Sequence, residues 1–272
     1  MENENLKTKL TVKYHNDLND IQFGVFSARE LDMFMIVLNA IRVSLDNGEI
    51  KPNSRYISRE YSFAQIREWL NLSTRNCSDA RLIERIKAIG YKVTRIQTFV
   101  STPSKGSGYL TLCPRFWIGG QADTVQVDFN MDYLYLLADI STHYTSFELR
   151  EYLSLNHIGT KILYHKIKQY KMSGHVSFSD IDAFRKQMAL PDTARARQII
   201  SRIVEPAVEE LKPIFPELEL NVFKSGSNHE ITGFELTFKP TKTRSKRSDK
   251  DSSQVKKPRR LVDFRTMKEI VV

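Results

Sequence analysis

The sequence predicts an α+β, helix-rich protein built from two tandem winged helix-turn-helix domains, and two observations indicate this fold class. The first is a repeated layout, because "SFAQI" begins at Ser62 and "SFSDI" begins at Ser177. The second is that an arginine-bearing helical pattern follows each copy, "ARLIERI" from Ala80 and "ARQIISRI" from Ala196. Two similar short stretches can arise by chance, but their matching place in a matching order of elements favours a duplicated module.

The first half of the chain contains the full set of elements. A helix is predicted after Ser27, which forms a capping box with Glu30, and Gly48 is its stop signal. "YISREYSF" predicts a strand, "AQIREWLNL" a short helix and "DARLIERIKAIGY" a second helix. A hairpin is predicted from "YKVTRIQTFV" and "GYLTLCPRFWI", then a strand from "TVQVDFN" and a short helix from "MDYLYLLADI".

The second half repeats this order. "SFELREYLSLN" and "IGTKILYHKIKQYKMSG" predict helices, and "HVSF" a short strand. "SDIDAFRKQMAL" predicts a helix with Ser179 and Asp182 as a capping box. "ARARQIISRIVEPAVEEL" predicts the next helix, with a kink or a break at Pro206, and "LELNVFKS" and "EITGFELTFKP" a hairpin. In a winged helix-turn-helix, the second of the two short helices enters a major groove and the hairpin flanks it.

The charge distribution separates these halves from the end of the chain. We predict a first domain over residues 1–140, a second over 141–240 and a disordered, flexible basic tail over 241–272. The net charge is +9, and residues 241–260 hold nine basic and two acidic side chains. Residues 241–260 are too polar and charged to fold alone and are expected to add affinity for any duplex. The last residues of the tail, "LVDFRTMKEIVV", are apolar enough to dock on a partner, or they form a frayed terminus.

The outward face of the second short helix in the second half offers the candidates for base recognition. Three arginines fall within eight residues there, with no acidic residue among them. Arginine contacts guanine O6 and N7 bidentately, and glutamine contacts adenine N6 and N7 in the same way. A charged face exposed only to solvent is the alternative interpretation. The predicted DNA-binding residues of this helix are Arg195, Arg197, Gln198, Ser201 and Arg202.

The corresponding helix of the first half has a more mixed charge, because Glu84 lies among its basic residues. Such a face suits phosphate contacts better than base recognition. The predicted DNA-binding residues at this helix are Arg75, Asn76, Ser78, Arg81, Arg85 and Lys87. Each hairpin adds one candidate wing contact, Lys105 in the first and Lys224 in the second, and both lysines are equally consistent with a role in solubility.

Catalytic and secretory signals are missing from the sequence. "SKGSGYL" lacks the lysine of a Walker A loop, and the scattered histidines include no closely spaced metal-binding pair. We therefore expect no enzyme activity, no metal and no cofactor. Cys77 and Cys113 form no disulfide framework, and the N-terminus "MENENLKTKL" is polar. A cytoplasmic protein without a membrane partner is expected.

The chain resembles the replication initiator (Rep) proteins of iteron-regulated, theta-replicating bacterial plasmids, from about Val12 to Lys239. "VKYHNDLN" resembles the N-terminal segment of that family, and "VDFNMDYLYLLADISTHYTSFEL" resembles its domain junction. The most specific likeness is "TKILYHKIKQYKMSGHVSFSDIDAFRKQMALP" followed by "RIVEPAVEEL" and "ITGFELTFK". The basic tail extends past the family pattern.

The resemblance implies two winged-helix domains related by a pseudo-twofold, which bind directly repeated origin sites as monomers. It implies dimers, in equilibrium with monomers, that repress the protein's own promoter at an inverted repeat. It also implies origin opening, recruitment of host initiation and helicase proteins, and no nucleotide cofactor. In this family the second recognition helix carries much of the base reading, and the first domain serves both dimerisation and DNA contact. A winged-helix transcriptional regulator without a replication role shares every DNA-contact feature and is the alternative, and a nicking or ligating enzyme is a third, disfavoured class.

Overall fold

The computed structural model describes most of the chain as helices, strands and short connections. The described residues are 11–49, 55–70, 72–102, 106–119, 123–138, 140–226, 229–241, 260–263 and 268–271. The first half has the elements β1 (Thr11–His15), α1 (Ala28–Asp46), β2 (Tyr56–Ser62), α2 (Phe63–Trp69), α3 (Asp79–Val93), β3 (Gln97–Thr102), β4 (Gly106–Thr111), β5 (Arg115–Ile118) and β6 (Thr124–Asn130). Short 3₁₀ turns cover Asn16–Asp20, Phe23–Val25 and Met131–Leu136.

The second half runs in a similar order. Its elements are β7 (Tyr144–Glu148), α4 (Leu149–Leu153), α5 (Ile158–Gln169), β8 (His175–Phe178), α6 (Ile181–Gln187), α7 (Ala196–Ile199), a π-helical segment (Ile200–Val204), α8 (Glu205–Leu211), β9 (Glu219–Ser225) and β10 (Glu230–Thr237). Two short strands, β11 (Arg260–Asp263) and β12 (Lys268–Val271), pair with each other near the C-terminus. The predicted flexible tail otherwise falls on residues 242–259, 264–267 and 272, outside the described residues.

The two three-stranded sheets show how the halves correspond. The strand order is β2-β6-β5 in the first half and β8-β10-β9 in the second, and all pairs are antiparallel. The counterpart of the β9–β10 wing is therefore β5–β6. The hairpin predicted as the first wing is instead a separate two-stranded pair, β3–β4, inserted after α3. The duplicated order of helix, strand, short helix and second helix is confirmed, and the prediction of the first wing is corrected.

Three predicted boundaries change. Tyr91–Val93 belong to α3, so the strand predicted from Tyr91 begins only at Gln97. "GYLTLCPRFWI" is divided between β4 and β5, because β5 leaves β4 to pair with β6. Ser146–Glu148 form the end of a strand rather than the start of a helix, because β7 pairs with β1.

Helix capping follows the predicted chemistry in one case and departs from it in another. Ser27 and Glu30 form the predicted capping box, in which Glu30 Oε2 accepts from the Ser27 amide at 2.6 Å. The predicted box of Ser179 and Asp182 is wrong. Asp180 is the N-cap of α6, and its carboxylate accepts the amides of Asp182 at 2.8 Å and Ala183 at 3.2 Å.

One continuous hydrophobic core includes buried residues of both halves. β1 of the first half pairs with β7, which follows the predicted boundary at residues 140 and 141. This pairing joins the two sides of that boundary, and the division into domains at this point stays a prediction. Cys77 and Cys113 are both buried free thiols. Among the described residues, no helix combines the length and apolar character that a bilayer span needs.

Candidate nucleic-acid interface

The first recognition helix, α3, is held at its start by polar contacts. Ser78 is its N-cap and accepts the Arg81 amide at 3.4 Å. Arg67 of α2 donates to the carbonyl of Cys77 and forms an ion pair with Asp79, which ties α2 to the start of α3. The buried face of α3 packs toward α1 and consists of Leu82, Ile86, Ile89, Gly90 and Val93.

Every candidate residue at α3 is exposed, but the face has mixed charge. Lys87 Nζ lies 2.9 Å from Glu84 Oε1, so one of the cations is neutralised on the helix itself. The six predicted residues at this helix are all solvent-exposed: Arg75, Asn76, Ser78, Arg81, Arg85 and Lys87. The geometry is compatible with contacts along a phosphate backbone.

The second recognition helix comprises α7, the π-helical segment and α8, residues 196–211. The loop before it is fixed by Arg185, whose Nε donates to the carbonyl of Ala194 at 3.0 Å. The buried side of the helix is an aliphatic stripe, with Ile199, Ile200, Val204, Ala207, Val208 and Leu211. The opposite side exposes all five predicted residues, Arg195, Arg197, Gln198, Ser201 and Arg202.

Arg195, Arg197 and Arg202 differ from six other arginines of the protein in their charge environment. Within the described part of the chain, none of the three forms an ion pair. By contrast, arginines elsewhere lie against carboxylates: Arg29, Arg42, Arg59, Arg67, Arg115 and Arg185. Three neighbouring exposed guanidinium groups without carboxylate partners form a surface that attracts anions.

The helix continues through Pro206, but its type changes immediately before this residue. Where a kink or a break was predicted, the structure has the π-helical segment Ile200–Val204, which we call the wide turn. α8 continues directly from it. In the wide turn the Glu205 amide bonds to the carbonyl of Ile200, five residues earlier. Pro206 lies in the first turn of α8, where a missing amide hydrogen is tolerated.

The wing residues are placed only in part. Lys224 is exposed on β9. Lys105 lies outside the described residues. A cation that the sequence interpretation missed is Arg95, just after α3, whose guanidinium lies 3.5 Å from the ring centroid of the exposed Tyr91. The four-residue spacing of Tyr91 and Arg95 is the signal that could have indicated it.

Contacts between the halves join α1, which packs against α3, to α5, which packs against the second recognition helix. Asp32 of α1 and Lys161 of α5 form a fully buried ion pair, with Lys161 Nζ 2.6 Å from Asp32 Oδ1. Burial raises the pKa of Asp32 and lowers the pKa of Lys161, and the attraction between them opposes both shifts. Lys161 also donates to the carbonyl of Tyr152 at 2.8 Å. Because α1 supports α3 and α5 supports the second recognition helix, this pair couples the two.

An aromatic cluster surrounds His165 on the same helix, α5. His165 stacks against Tyr152 with ring centroids 5.0 Å apart and against Phe147 at 5.3 Å. Complete burial, together with the charges of Lys161 and Lys166, lowers the pKa of His165 to about 3. Neither ring nitrogen has a hydrogen-bond partner among the described residues, so the imidazole is a neutral packing group at neutral pH.

The described residues bring together no metal site, since no group of three or more His, Cys, Asp or Glu side chains converges among them. A polar cleft of about 670 Å³ lies between α6, the start of the second recognition helix and β10. Asp180, Asp182, Asp192 and Glu230 line it beside Arg185 and Arg195. These carboxylates border the exposed arginine surface on its N-terminal side.

Comparison with known proteins gives two family matches. A family described as "Initiator Replication protein, WH1" matches residues 11–168, and one described as "Initiator Rep protein, WH2" matches residues 180–245. The prediction of two winged-helix domains is confirmed by these matches. They do not favour the alternative of a transcriptional regulator without a replication role.

A relative and a solved structure are consistent with these families. The "Probable replication protein rep" of Bifidobacterium longum (strain NCC 2705) is 25% identical over 228 residues, covering 84% of this chain and 72% of that protein. A crystal structure of the Pi initiator protein in complex with iteron DNA matches with a TM-score of 0.57 and 10% identity. It covers 86% of this chain and 99% of that one, and at this identity the likeness concerns the fold.

Proposed function

Because this chain belongs to the family of initiator replication proteins, we propose that it starts plasmid replication by binding directly repeated origin sequences through its two recognition helices. The Pi initiator protein, which has a similar fold, was crystallised with iteron DNA. This supports repeated duplex sites of the iteron type as the substrate class. The chemistry of the two helices is consistent with duplex binding, because both expose cations.

The observation that carries the proposal is the unpaired arginine cluster of the second recognition helix. Arg195, Arg197 and Arg202 are exposed, neighbouring and free of ion pairs within the described part of the chain. A guanidinium that is already paired with a carboxylate must give up that partner to bind a base, whereas these three need not. With Gln198 and Ser201 they offer bidentate donors for guanine and adenine edges in a major groove.

We assign a different task to α3. Arg75, Asn76, Ser78, Arg81, Arg85 and Lys87 hold the first domain on the phosphate backbone of a neighbouring groove. Lys224, and Lys105 outside the described residues, serve as flanking phosphate contacts. Arg95, held over the ring of Tyr91, is a further candidate of the same kind. Two domains on successive major grooves span on the order of 20 bp of duplex.

The regulatory side of the proposal rests on the family. Binding nucleates origin opening and recruits host initiation and helicase proteins, and a dimer in equilibrium with the monomer represses the protein's own promoter at an inverted repeat. The protein acts in the cytoplasm as a binding and assembly protein, without catalysis or a nucleotide cofactor. The first domain, which carries the mixed-charge helix, is the expected dimerisation module.

The test is a comparison of specific and non-specific binding. Duplexes that the full chain selects from a random library give the specific site, and a scrambled duplex of equal length gives the reference. Replacing Arg195, Arg197 and Arg202 together by alanine should abolish the preference for the selected site while leaving residual binding to both duplexes. Arg150→Ala is the matched control, because Arg150 is an exposed arginine on α4, outside the predicted interface.

Three results would contradict the proposal. If the triple variant kept its preference for the selected duplex, the second recognition helix would not read bases. If nuclease protection covered about 10 bp rather than about 20 bp, one domain would have a task other than duplex binding. If the selected sequence does not occur as a direct repeat in the origin region of the plasmid, the result would favour a role in regulation alone.

A further inference from the structure

We propose that Pro206 is a positioning residue for DNA recognition, which fixes the wide turn and thereby the orientation of Arg202 on the second recognition helix. The inference rests on the proposed function of that helix and concerns how its base-contacting face is built. Pro206 is exposed and lies four residues after Arg202, on the same side of the helix. Pro206 itself does not contact the DNA and acts only through the backbone of the helix.

The backbone chemistry explains why the wide turn stands where it does. In a regular α-helix the amide of residue 206 would donate to the carbonyl of Arg202, but proline has no amide hydrogen and its ring would collide with that carbonyl. A five-residue hydrogen bond, from the Glu205 amide to the Ile200 carbonyl, widens the helix immediately before the proline. Single π-turns of this kind occur frequently at functional sites.

An extra residue narrows the apolar stripe of the helix, but the apolar pattern does not fix the position of that residue. The residues that face the core repeat every four positions: Ile199, Ile203, Ala207 and Leu211 in one line, and Ile200, Val204 and Val208 in the other. At about 100° per residue, the path from Ile199 to Leu211 would end about 120° away from three full turns. One extra residue absorbed in a wide turn leaves a deviation of only about 20°.

Contacts on either side of the wide turn determine which part of the helix is anchored. Glu210 of α8 accepts from the Asn156 amide at 2.7 Å and from Thr160 Oγ1 at 2.5 Å, so α8 is fastened to the start of α5. At the wide turn itself, α5 and the second recognition helix approach closely, since a Cβ atom added at Gly159 of α5 would lie 2.6 Å from Ile203 Cγ2. The DNA-facing residues lie within or before the wide turn.

The consequence is a defined outer face. With the wide turn at Ile200–Val204, Arg197 and Ser201 align along one line of the surface and Gln198 and Arg202 along a second. A wide turn displaced by one turn in either direction would rotate Arg202 by roughly 50°, half of the rotation per residue. The guanidinium would then miss a bidentate position on a base edge, while its charge would still attract phosphate.

The test is a double-mutant cycle between Pro206 and Arg202, measured as affinity of the full chain for the selected and the scrambled duplex. We expect Pro206→Ala to weaken binding to the selected duplex about 10-fold or more, as Arg202→Ala does, and to leave binding to the scrambled duplex unchanged. The double variant should be no weaker than Arg202→Ala alone. Pro216→Ala, in an exposed loop position, controls for the general effect of removing a proline.

The outcomes separate this inference from the proposed function. If Arg202→Ala itself has no effect on the selected duplex, the proposed function of the helix is wrong. If Arg202→Ala weakens specific binding but Pro206→Ala does not, or if the two losses multiply, Pro206 has no positioning role. Gly159→Ala gives an independent check, because its new methyl group would displace Ile203 from the other side of the wide turn. Gly159→Ala should also lower the affinity for the selected duplex. Combined with Arg202→Ala, it should cause no loss beyond that of Arg202→Ala alone.

Discussion

The two recognition helices occupy corresponding places in the two domains but are fixed by different means. α3 is a regular α-helix whose start is defined locally, by the Ser78 cap and by Arg67 on the preceding helix. The second recognition helix has no side-chain cap at Arg195 and contains a wide turn. Its position is defined by tertiary contacts, chiefly those of Glu210 with the start of α5.

The outer faces of the two recognition helices also differ, in their content of acidic residues. Glu84 pairs with Lys87 on the face of α3, whereas no acidic residue lies between Arg195 and Arg202. Within the described chain, Arg75, Arg81 and Arg85 form no ion pair, as is also true of the three arginines of the second helix. This difference is the basis of the proposed division of labour, with positioning on α3 and base recognition on the second helix.

The largest expected effect concerns the ion pair that couples the supports of the two helices. Lys161→Met leaves the carboxylate of Asp32 buried, with Arg29 at 3.4 Å as the remaining cation. Removing one partner of a buried pair costs about 3–5 kcal/mol, because the other charge stays desolvated. Urea denaturation at neutral pH, followed by circular dichroism, measures the change in the free energy of unfolding.

Two further variants sharpen that measurement. Lys168→Met removes a lysine from the same helix, but its pair with Glu151 is partly exposed, so the expected loss is below about 1 kcal/mol. The double variant Asp32→Leu with Lys161→Met should be more stable than Lys161→Met alone, because no unpaired buried charge remains. If Lys161→Met and Lys168→Met lowered the free energy of unfolding equally, burial of the Asp32–Lys161 ion pair would not explain its contribution to stability.

The second prediction tests the division of labour directly. Arg202→Ala should cost about 1–3 kcal/mol on the selected duplex and little on a scrambled one. Arg81→Ala on α3 should weaken binding to both duplexes by the same factor and lower the slope of log affinity against log salt by about 0.9. Salt-dependent titrations of both variants on both duplexes are the measurement. Equal losses for Arg202→Ala on the two duplexes would mean that Arg202 contacts phosphate only.

The sequence was sufficient for the order of the helix-turn-helix elements and for the exposed face of each recognition helix. Helical periodicity identified α3 and the second recognition helix, and all predicted residues on them that the structure describes are exposed. It could not separate β3–β4 from β5–β6, because strand patterns do not state which strands pair. The wing was therefore assigned to the inserted hairpin rather than to β5–β6.

Long-range features explain the other departures. β1 was missed and the start of the helix predicted at Ser146 was wrong, because the β1–β7 pairing joins residues more than 120 positions apart. The wide turn had a local signal, the four-residue apolar repeat from Ile199 to Leu211, which a strict 3.6-residue period spreads over about 180° of the helix surface. The ion pair of Asp32 and Lys161 had none, since each residue lies on a separate amphipathic helix.

The third prediction concerns acid sensitivity of the support beneath the second recognition helix. Burial lowers the pKa of His165 to about 3, against about 6.5 in an unfolded chain. Between these values the unfolded chain binds a proton that the folded protein does not, so stability falls as the pH falls, by about 1.4 kcal/mol per unit. From pH 7 to pH 5 this amounts to about 2 kcal/mol, measured by urea denaturation at each pH.

His165→Phe should flatten this part of the pH profile, because the stacked ring against Tyr152 and Phe147 is kept while the proton site is lost. Lys161 and Lys166 are the charged groups that lower the His165 pKa, and they remain in the variant. His175→Gln, which removes an exposed histidine, is the control. A wild-type profile that matches that of His165→Phe between pH 7 and pH 5 would contradict the prediction.

The smallest expected effect compares the first helices of the two helix-turn-helix units, α2 and α6. Ser62 caps α2 through a box with Gln65, whereas Asp180 caps α6 alone, with two amide hydrogen bonds to its carboxylate. Ser62→Ala and Asp180→Ala should each cost about 1 kcal/mol of unfolding free energy, since amides at the helix start lose their acceptor. Ser179→Ala is the matched control next to Asp180, and it should change stability by less than about 0.5 kcal/mol. A loss at Ser179 as large as that at Asp180 would restore the capping box that the sequence pattern suggested and would place the start of α6 one residue earlier.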